Sequence, residues 1–121
     1  MDIVGVTIDV PVVQLGRALP FYSTLLGRGP DLRPDDRTLE WILHRRPEIA
    51  VRVVARADRH EAGAPVRLGL GVADVDAEHE RLLDAVPELR PVQRKPGVIA
   101  LLELRDPDGN LVVLWQDLLH E

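Results

Sequence analysis

The chain has 121 residues, 45% hydrophobic and 29% charged, with 9 Gly, 10 Pro and no Cys. These are the proportions of one soluble globular domain, long enough to bury roughly two-thirds of the surface its unfolded form exposes. Without cysteine there is no disulfide framework, thiolate metal site or cysteine nucleophile, and fifteen basic against twenty acidic residues leave a net charge of -5, the wrong sign for a nucleic-acid partner whose phosphates must be neutralised.

The opening stretch carries Asp2 and Asp9 where a signal peptide would want positive charge, and nothing approaches the roughly 18 apolar residues of a membrane span. The expectation is a cytoplasmic protein without a membrane partner. Only Lys95 among the basic residues is lysine, so nearly every cation is an arginine, which keeps its charge and grips oxyanions through two bonds. A GC-rich genome gives the same bias.

From Ile3 to Val10 the apolar residues alternate, with Val4, Val6, Ile8 and Val10 on one side and Gly5, Thr7 and Asp9 on the other, which predicts a half-buried strand. Leu15, Leu19, Tyr22, Leu25 and Leu26 recur at helical spacing, and Gly27 followed by Gly29-Pro30 supplies a stop. Pro20 interrupts that helix, so either it kinks or its regular part begins near Leu19. Arg37 to His44 and Ile49 to Ala55 read as strands, with a shorter one around Asp31 to Arg33. After a polar stretch, Ala57 to Pro65, the pattern starts again. Val66 to Val72 alternates as a strand, Asp74 or Asp76 can cap a helix with Val75, His79, Leu82, Leu83 and Val86 on one stripe, and Leu89 to Arg94 is a weak strand. Val98 to Arg105 and Leu111 to Trp115 follow as strands joined by the turn Asp106-Pro107-Asp108-Gly109-Asn110. The order strand, helix, strands thus occurs twice, an internal repeat of about half the chain.

That repeat, with Phe21-Tyr22-Ser23-Thr24-Leu25-Leu26-Gly27 closing the first helix and Asp106-Pro107-Asp108-Gly109-Asn110 entering the last strand, resembles the vicinal oxygen chelate superfamily of glyoxalases, bleomycin-resistance proteins and extradiol dioxygenases. The resemblance implies an α+β fold of two βαβββ modules, about residues 1–60 and 61–121, in a single glyoxalase-like domain. The modules would form a half-open barrel cup that holds a small molecule, and a homodimer would complete the barrel. Many members hold a divalent metal between a His or Gln early in the first strand of a module and a Glu on its last. Here the second-half His position falls on Arg67 and the Glu position on Val113. In the first half they fall on Thr7 or Gly5 and among Val51, Arg52 and Val53. None supplies an imidazole or carboxylate, and guanidinium offers donors only, so no metal cofactor is expected unless Asp9, His44, Glu40 and Glu103 build a replacement site.

Alternation puts Val4, Val6, Ile8, Leu68, Leu70, Val72, Val112 and Leu114 beneath helices. The opposite face then carries Thr7, Asp9, Arg67, Gly69, Gly71, Val113 and Trp115. Glu40, Ile42 and His44 share one side of their strand, Arg52 and Val54 a side of theirs, and Glu103 and Arg105 a side of another. Thr7, Asp9, Arg52, Arg67, Val113 and Trp115 are the candidate ligand contacts, and His44, Asp9 and Glu103 the candidate proton-transfer groups. Each has a plainer reading. Arg67 could neutralise Asp9 or Glu103, His44 could be a strand-surface residue, His79 a packing residue and Trp115 a dimer contact. His60 and His120 receive no role. Gly69 and Gly71, flanking Leu70 inside a strand, mark a close approach by a ligand or another part of the chain.

The function this favours is binding of an organic small molecule in the cup without metal, an anionic one if Arg67 serves as its anchor. A metal-dependent or metal-free lyase, isomerase or dioxygenase acting on a small oxygenated substrate is the main alternative, and a structural dimer with a filled cup is the third.

Overall fold

The protein, seen here as a computed structural model, is described over residues 1–119; His120 lies outside the described residues. The chain divides between Val66 and Arg67 into two compact units, somewhat later than the repeat placed the boundary. Among the described residues no helix is long and apolar enough to cross a membrane.

Module one runs β1 (Gly5–Val12), α1 (Leu15–Leu26), β2 (Leu32–Asp35), β3 (Thr38–Arg45), β4 (Glu48–Ala55) and a short α2 (Arg59–Ala62). Its sheet has the order β1-β4-β3-β2, with β1 parallel to β4 and the other pairs antiparallel. The helix α1 ends on Gly27, whose φ of 78° lies in the left-handed region that costs a side-chain-free residue nothing. Pro20 sits inside α1, yet the helix runs from Leu15 without a late start. Both Pro20 and Gly16, four residues earlier, are exposed, so the carbonyl that loses its partner meets water. The α1 face presents Ala18, Tyr22 and Leu25 to the core, joined from the sheet by Val10, Val12, Leu39, Trp41, Val51 and Val53. Tyr22 and Trp41 meet with ring centroids 6.2 Å apart, and the Trp41 indole N–H donates to the Arg28 carbonyl at 2.9 Å, which satisfies the polar edge of a fully buried ring.

The expected burial of β1 is shifted along the strand. Val4 is 79% and Val6 51% exposed, whereas Val10 and Val12 are fully buried. The alternation is right, but only the later half of the strand lies against other elements of the core. Helix α2 falls in the stretch read as polar loop. Asp58 accepts from the Glu61 N–H at 2.9 Å and Glu61 reaches back to the Ala57 N–H at 2.9 Å, a reciprocal cap that holds a single turn.

Module two runs β5 (Arg67–Gly71), α3 (Val75–Leu83), β6 (Gln93–Lys95), β7 (Ile99–Arg105) and β8 (Leu111–Asp117). The sheet order β5-β8-β7-β6 and its one parallel pair repeat module one. Asp74, not Asp76, caps α3 by accepting from Ala77 N–H at 3.1 Å; Asp76 instead pairs with Arg94. The Val75 N–H donates to Gln116 Oε1 at 2.9 Å, tying the helix start to β8. Val75 and Leu82 pack with Leu68, Leu102, Leu104, Val112 and Leu114. Leu83, expected on that stripe, is exposed, and Val86 lies beyond the helix, which ends at Leu83. The weak strand expected from Leu89 to Arg94 forms only at Gln93–Lys95, because Glu88 to Arg90 bridge from helix to sheet edge instead.

The 106–110 turn is the best-satisfied local feature. Asp106 Oδ1 accepts from the N–H groups of Asp108 (2.8 Å) and Asn110 (2.9 Å), and Oδ2 accepts from Asn110 Nδ2 at 2.8 Å. Asp106 and Asn110 are both buried, and the pair sets the register in which β7 and β8 meet.

Candidate functional site

In each module helix and sheet cover one face and leave the other to carry polar and aromatic side chains. In module one Asp9, Arg52 and Glu40 stand opposite one another on β1, β4 and β3. Arg52 Nε lies 3.6 Å from Glu40 Oε1 and 3.9 Å from Asp9 Oδ1, beyond hydrogen-bonding range, and this buried nitrogen has no hydrogen-bond partner. The Asp35 carboxyl is held below its ordinary value of 3.8 by the Arg37 N–H first, then by Thr38, with the Arg52 charge adding to the effect. Thr7 occupies the neighbouring row, opposite Ala50.

His44 does not join them. A register shift between Ile42 and His44 sets Ile42 opposite Ala50 but His44 opposite Ile49, so the alternation that linked His44 to Glu40 and Ile42 is broken by the extra residue Leu43. His44 is exposed and its Nδ1 is 2.9 Å from the Pro47 carbonyl, closing its own hairpin.

In module two three rows cross the open face. Arg67 is opposite Leu111 and that opposite Arg105; Gly69, Val113 and Glu103 form the next; Gly71, Trp115 and Leu101 the third. Arg67 is exposed and its side chain makes no hydrogen bond or ion pair among the described residues, so the expected neutralisation of Glu103 does not occur. Val113, expected to contact ligand, is only 3% exposed. A short side chain set two residues from both Leu111 and Trp115 on the same face is the first to lose solvent. The close approach at Gly69 and Gly71 comes from the Trp115 indole. His79 stays on the helix stripe, its Nε2 buried without a hydrogen-bond partner.

A cavity of about 260 Å³ opens beside β7. Because β6 pairs only as far as Leu101, the outer edge from Glu103 to Arg105 is left to the Val86–Arg90 segment. Leu89, Leu104 and Leu111 give the hollow its apolar wall, and Glu88, Arg90, Glu103 and Arg105 its charge. Sequence reading named Glu103 but missed Glu88 and Arg90, because a weak β signal over 89–94 hid the segment that crosses the sheet edge.

The sequence profile of a family described as "Glyoxalase-like domain" matches residues 5–115. The chain belongs to the glyoxalase-like domain family. Among solved structures it is similar to a glyoxalase/bleomycin resistance protein from Catenulispora acidiphila, at 24% identity over 93% of this chain and 96% of that one, with a TM-score of 0.79. A lactoylglutathione lyase from Agrobacterium tumefaciens is similar at 21% identity, over 93% and 92% of the two chains, with a TM-score of 0.73. A bleomycin-binding protein from Streptomyces verticillus, complexed with copper(II)-bleomycin, is similar at 22% identity, over 91% and 93%, with a TM-score of 0.69. Identities this low establish the shared fold of two βαβββ modules. No curated protein matches in sequence.

The donors that this glyoxalase-like chain places where its superfamily holds a divalent metal do not fit one. Arg67 and Val113 stand in module two, in adjacent rows, and neither can ligate a cation. In module one the carboxylates of Asp9 and Glu40 flank Arg52, whose fixed positive charge opposes a cation. Among the described residues no three His, Cys, Asp or Glu side chains gather to hold a metal ion.

Proposed function

We propose that the chain is a small-molecule-binding protein of the glyoxalase/bleomycin-resistance type that holds an organic, anionic ligand in the family cup without the family metal. The observation that carries this reading is Arg67, an exposed guanidinium with no side-chain partner among the described residues, at the position to which the superfamily resemblance assigns a metal-binding imidazole. A cation that cannot lose its proton suits an oxyanion there. In module two Trp115 joins Arg67 as a proposed contact, with Val113 on the face between them; Thr7, Asp9 and Arg52 are the proposed contacts that module one offers on its own open face. The Streptomyces verticillus relative, which holds a metal-loaded drug, is a precedent for binding on this fold. The protein acts in this reading as a cytoplasmic homodimer, with Val4 and Val6 exposed along the edge strand of module one as apolar surface for a second copy.

The test is elemental analysis of untagged protein purified without chelators, followed by a small-molecule binding screen on the same sample. Zn, Ni, Mn and Fe well below one per chain together with saturable binding is the expected result. A tightly held stoichiometric metal would overturn it.

A second reading, a lyase, isomerase or dioxygenase acting on a small oxygenated substrate, draws on Glu103, a half-buried carboxylate in the cavity beside Arg105. There it could take a proton while the cation steadies an enolate. Turnover of any bound compound that Glu103→Gln abolishes without loss of binding would favour this reading over the first.

A further inference from the structure

On β5 the face toward Trp115 is formed by Gly69 and Gly71, two residues apart, so that side of the strand is bare backbone. A β-carbon added at Gly71 would stand 2.7 Å from Trp115 Cζ2, 3.0 Å from Cη2 and 3.1 Å from Cε2, and one at Gly69 would stand 3.8 Å from Nε1. Three ring atoms at nearly equal distance from one point mean that the indole turns its face, not its edge, to the strand. Trp115 is nevertheless 40% exposed: one face lies on glycine and the other is open. Its N–H has no acceptor among the described residues, in contrast to the fully buried Trp41, whose N–H is bonded. Glycine weakens strand pairing, so two of them under one ring are an arrangement that serves the ring.

Arg67 lies on the same face, two residues before Gly69 or about 7 Å along the strand. Across the sheet the same face carries Arg105 and Glu103, and Arg105 already donates to the Gly109 carbonyl at 2.9 Å. Lys95 on β6, opposite Ile99, is a second exposed cation on this face without a side-chain partner among the described residues, but it lies two strands from Trp115. Arg67 is the uncommitted cation on the strand that the ring covers. We infer that module two binds a planar aromatic anion, stacked on the free face of Trp115 with its oxyanion on the Arg67 guanidinium. Stacking needs a flat, presented ring face, and a guanidinium binds a carboxylate through two parallel bonds. This deepens the proposed function and rests on it.

The probe is 2-naphthoate, titrated into the full chain while the two indole N–H resonances are followed by NMR, with Trp115→Phe to assign them. Saturable shift of the Trp115 signal, with Trp41 unmoved, is expected. Cyclohexanecarboxylate, which keeps the charge without the flat ring, and 2-naphthamide, which keeps the ring without the charge, should each bind about tenfold more weakly or worse. Gly71→Ala, which lifts the ring from its bed, should weaken 2-naphthoate by about tenfold or more. Arg67→Gln should reduce 2-naphthoate to the level of 2-naphthamide and leave 2-naphthamide unchanged. If Gly71→Ala does not fold, Trp115→Leu serves in its place, and Trp115→Phe should retain more affinity than Trp115→Leu. The inference is overturned if millimolar 2-naphthoate leaves Trp115 unshifted, if cyclohexanecarboxylate binds as tightly, or if a folded Gly71→Ala binds unchanged. A neutral or aliphatic compound that binds the metal-free protein without moving Trp115 would also overturn it while leaving the proposed function standing.

Discussion

Asn110 offers the sharpest test of how the second module is held together. It is fully buried, and its Nδ2 donates to Asp106 Oδ2 at 2.8 Å, while Asp106 itself is only 5% exposed. Asn110→Ala removes a hydrogen bond to a charged acceptor and leaves a buried carboxylate oxygen short of a donor, a loss of about 1.5–3 kcal/mol. With an unfolding entropy of about 2.1 cal/mol/K per residue, a chain of this length loses about 4 °C of Tm per kcal/mol, so a fall of about 6–12 °C is expected in thermal unfolding followed by circular dichroism. Asn110→Asp should be worse, since it sets a second carboxylate against the first. The reasoning is refuted if Asn110→Ala melts within about 2 °C of wild type, or if Asn110→Asp is as stable as Asn110→Ala.

Asp31 is held below its ordinary value of 3.8, chiefly by the Ile42 N–H and then by Arg28. Its contribution is present above the unfolded pKa and lost as pH falls through the lower folded value. Asp31→Asn should therefore be less stable than wild type near neutrality, with the gap narrowing in acid unfolding below about pH 4; a constant gap would contradict the assignment. Pro20→Ala restores a backbone donor inside α1 and should raise stability by about 2 kcal/mol after the unfolded-state entropy it restores is subtracted, so a fall in Tm would show that the proline is needed where it stands. Arg67→Ala should leave thermal stability within about 0.5 kcal/mol of wild type, because no carboxylate among the described residues loses a partner. A large destabilisation that Glu103→Gln partly reverses would return Arg67 to a structural role.

What the sequence determined by itself is whatever depends on near neighbours in the chain. The helix from Leu15 to Leu26 with its Gly27 stop, the Asp106–Asn110 turn, the side-chain alternation of β1, β5 and β8, and the twofold repeat all rest on spacings of a few residues. Those spacings, with the motifs that carry the superfamily resemblance, were enough for the fold. What only the tertiary structure decided depends on a second strand or helix. The bulge that turns His44 away from Glu40 is defined by pairing with β4. The exposure of Val6 and burial of Val10, on the same side of one strand, follow from where other elements lie over it. Arg52 meets Asp9 and Glu40 because three strands come into register, and Gly71 receives the Trp115 ring because residues 44 positions apart are paired across β5 and β8. Periodicity states which side a residue takes; only the packed chain states what, if anything, is there to meet it.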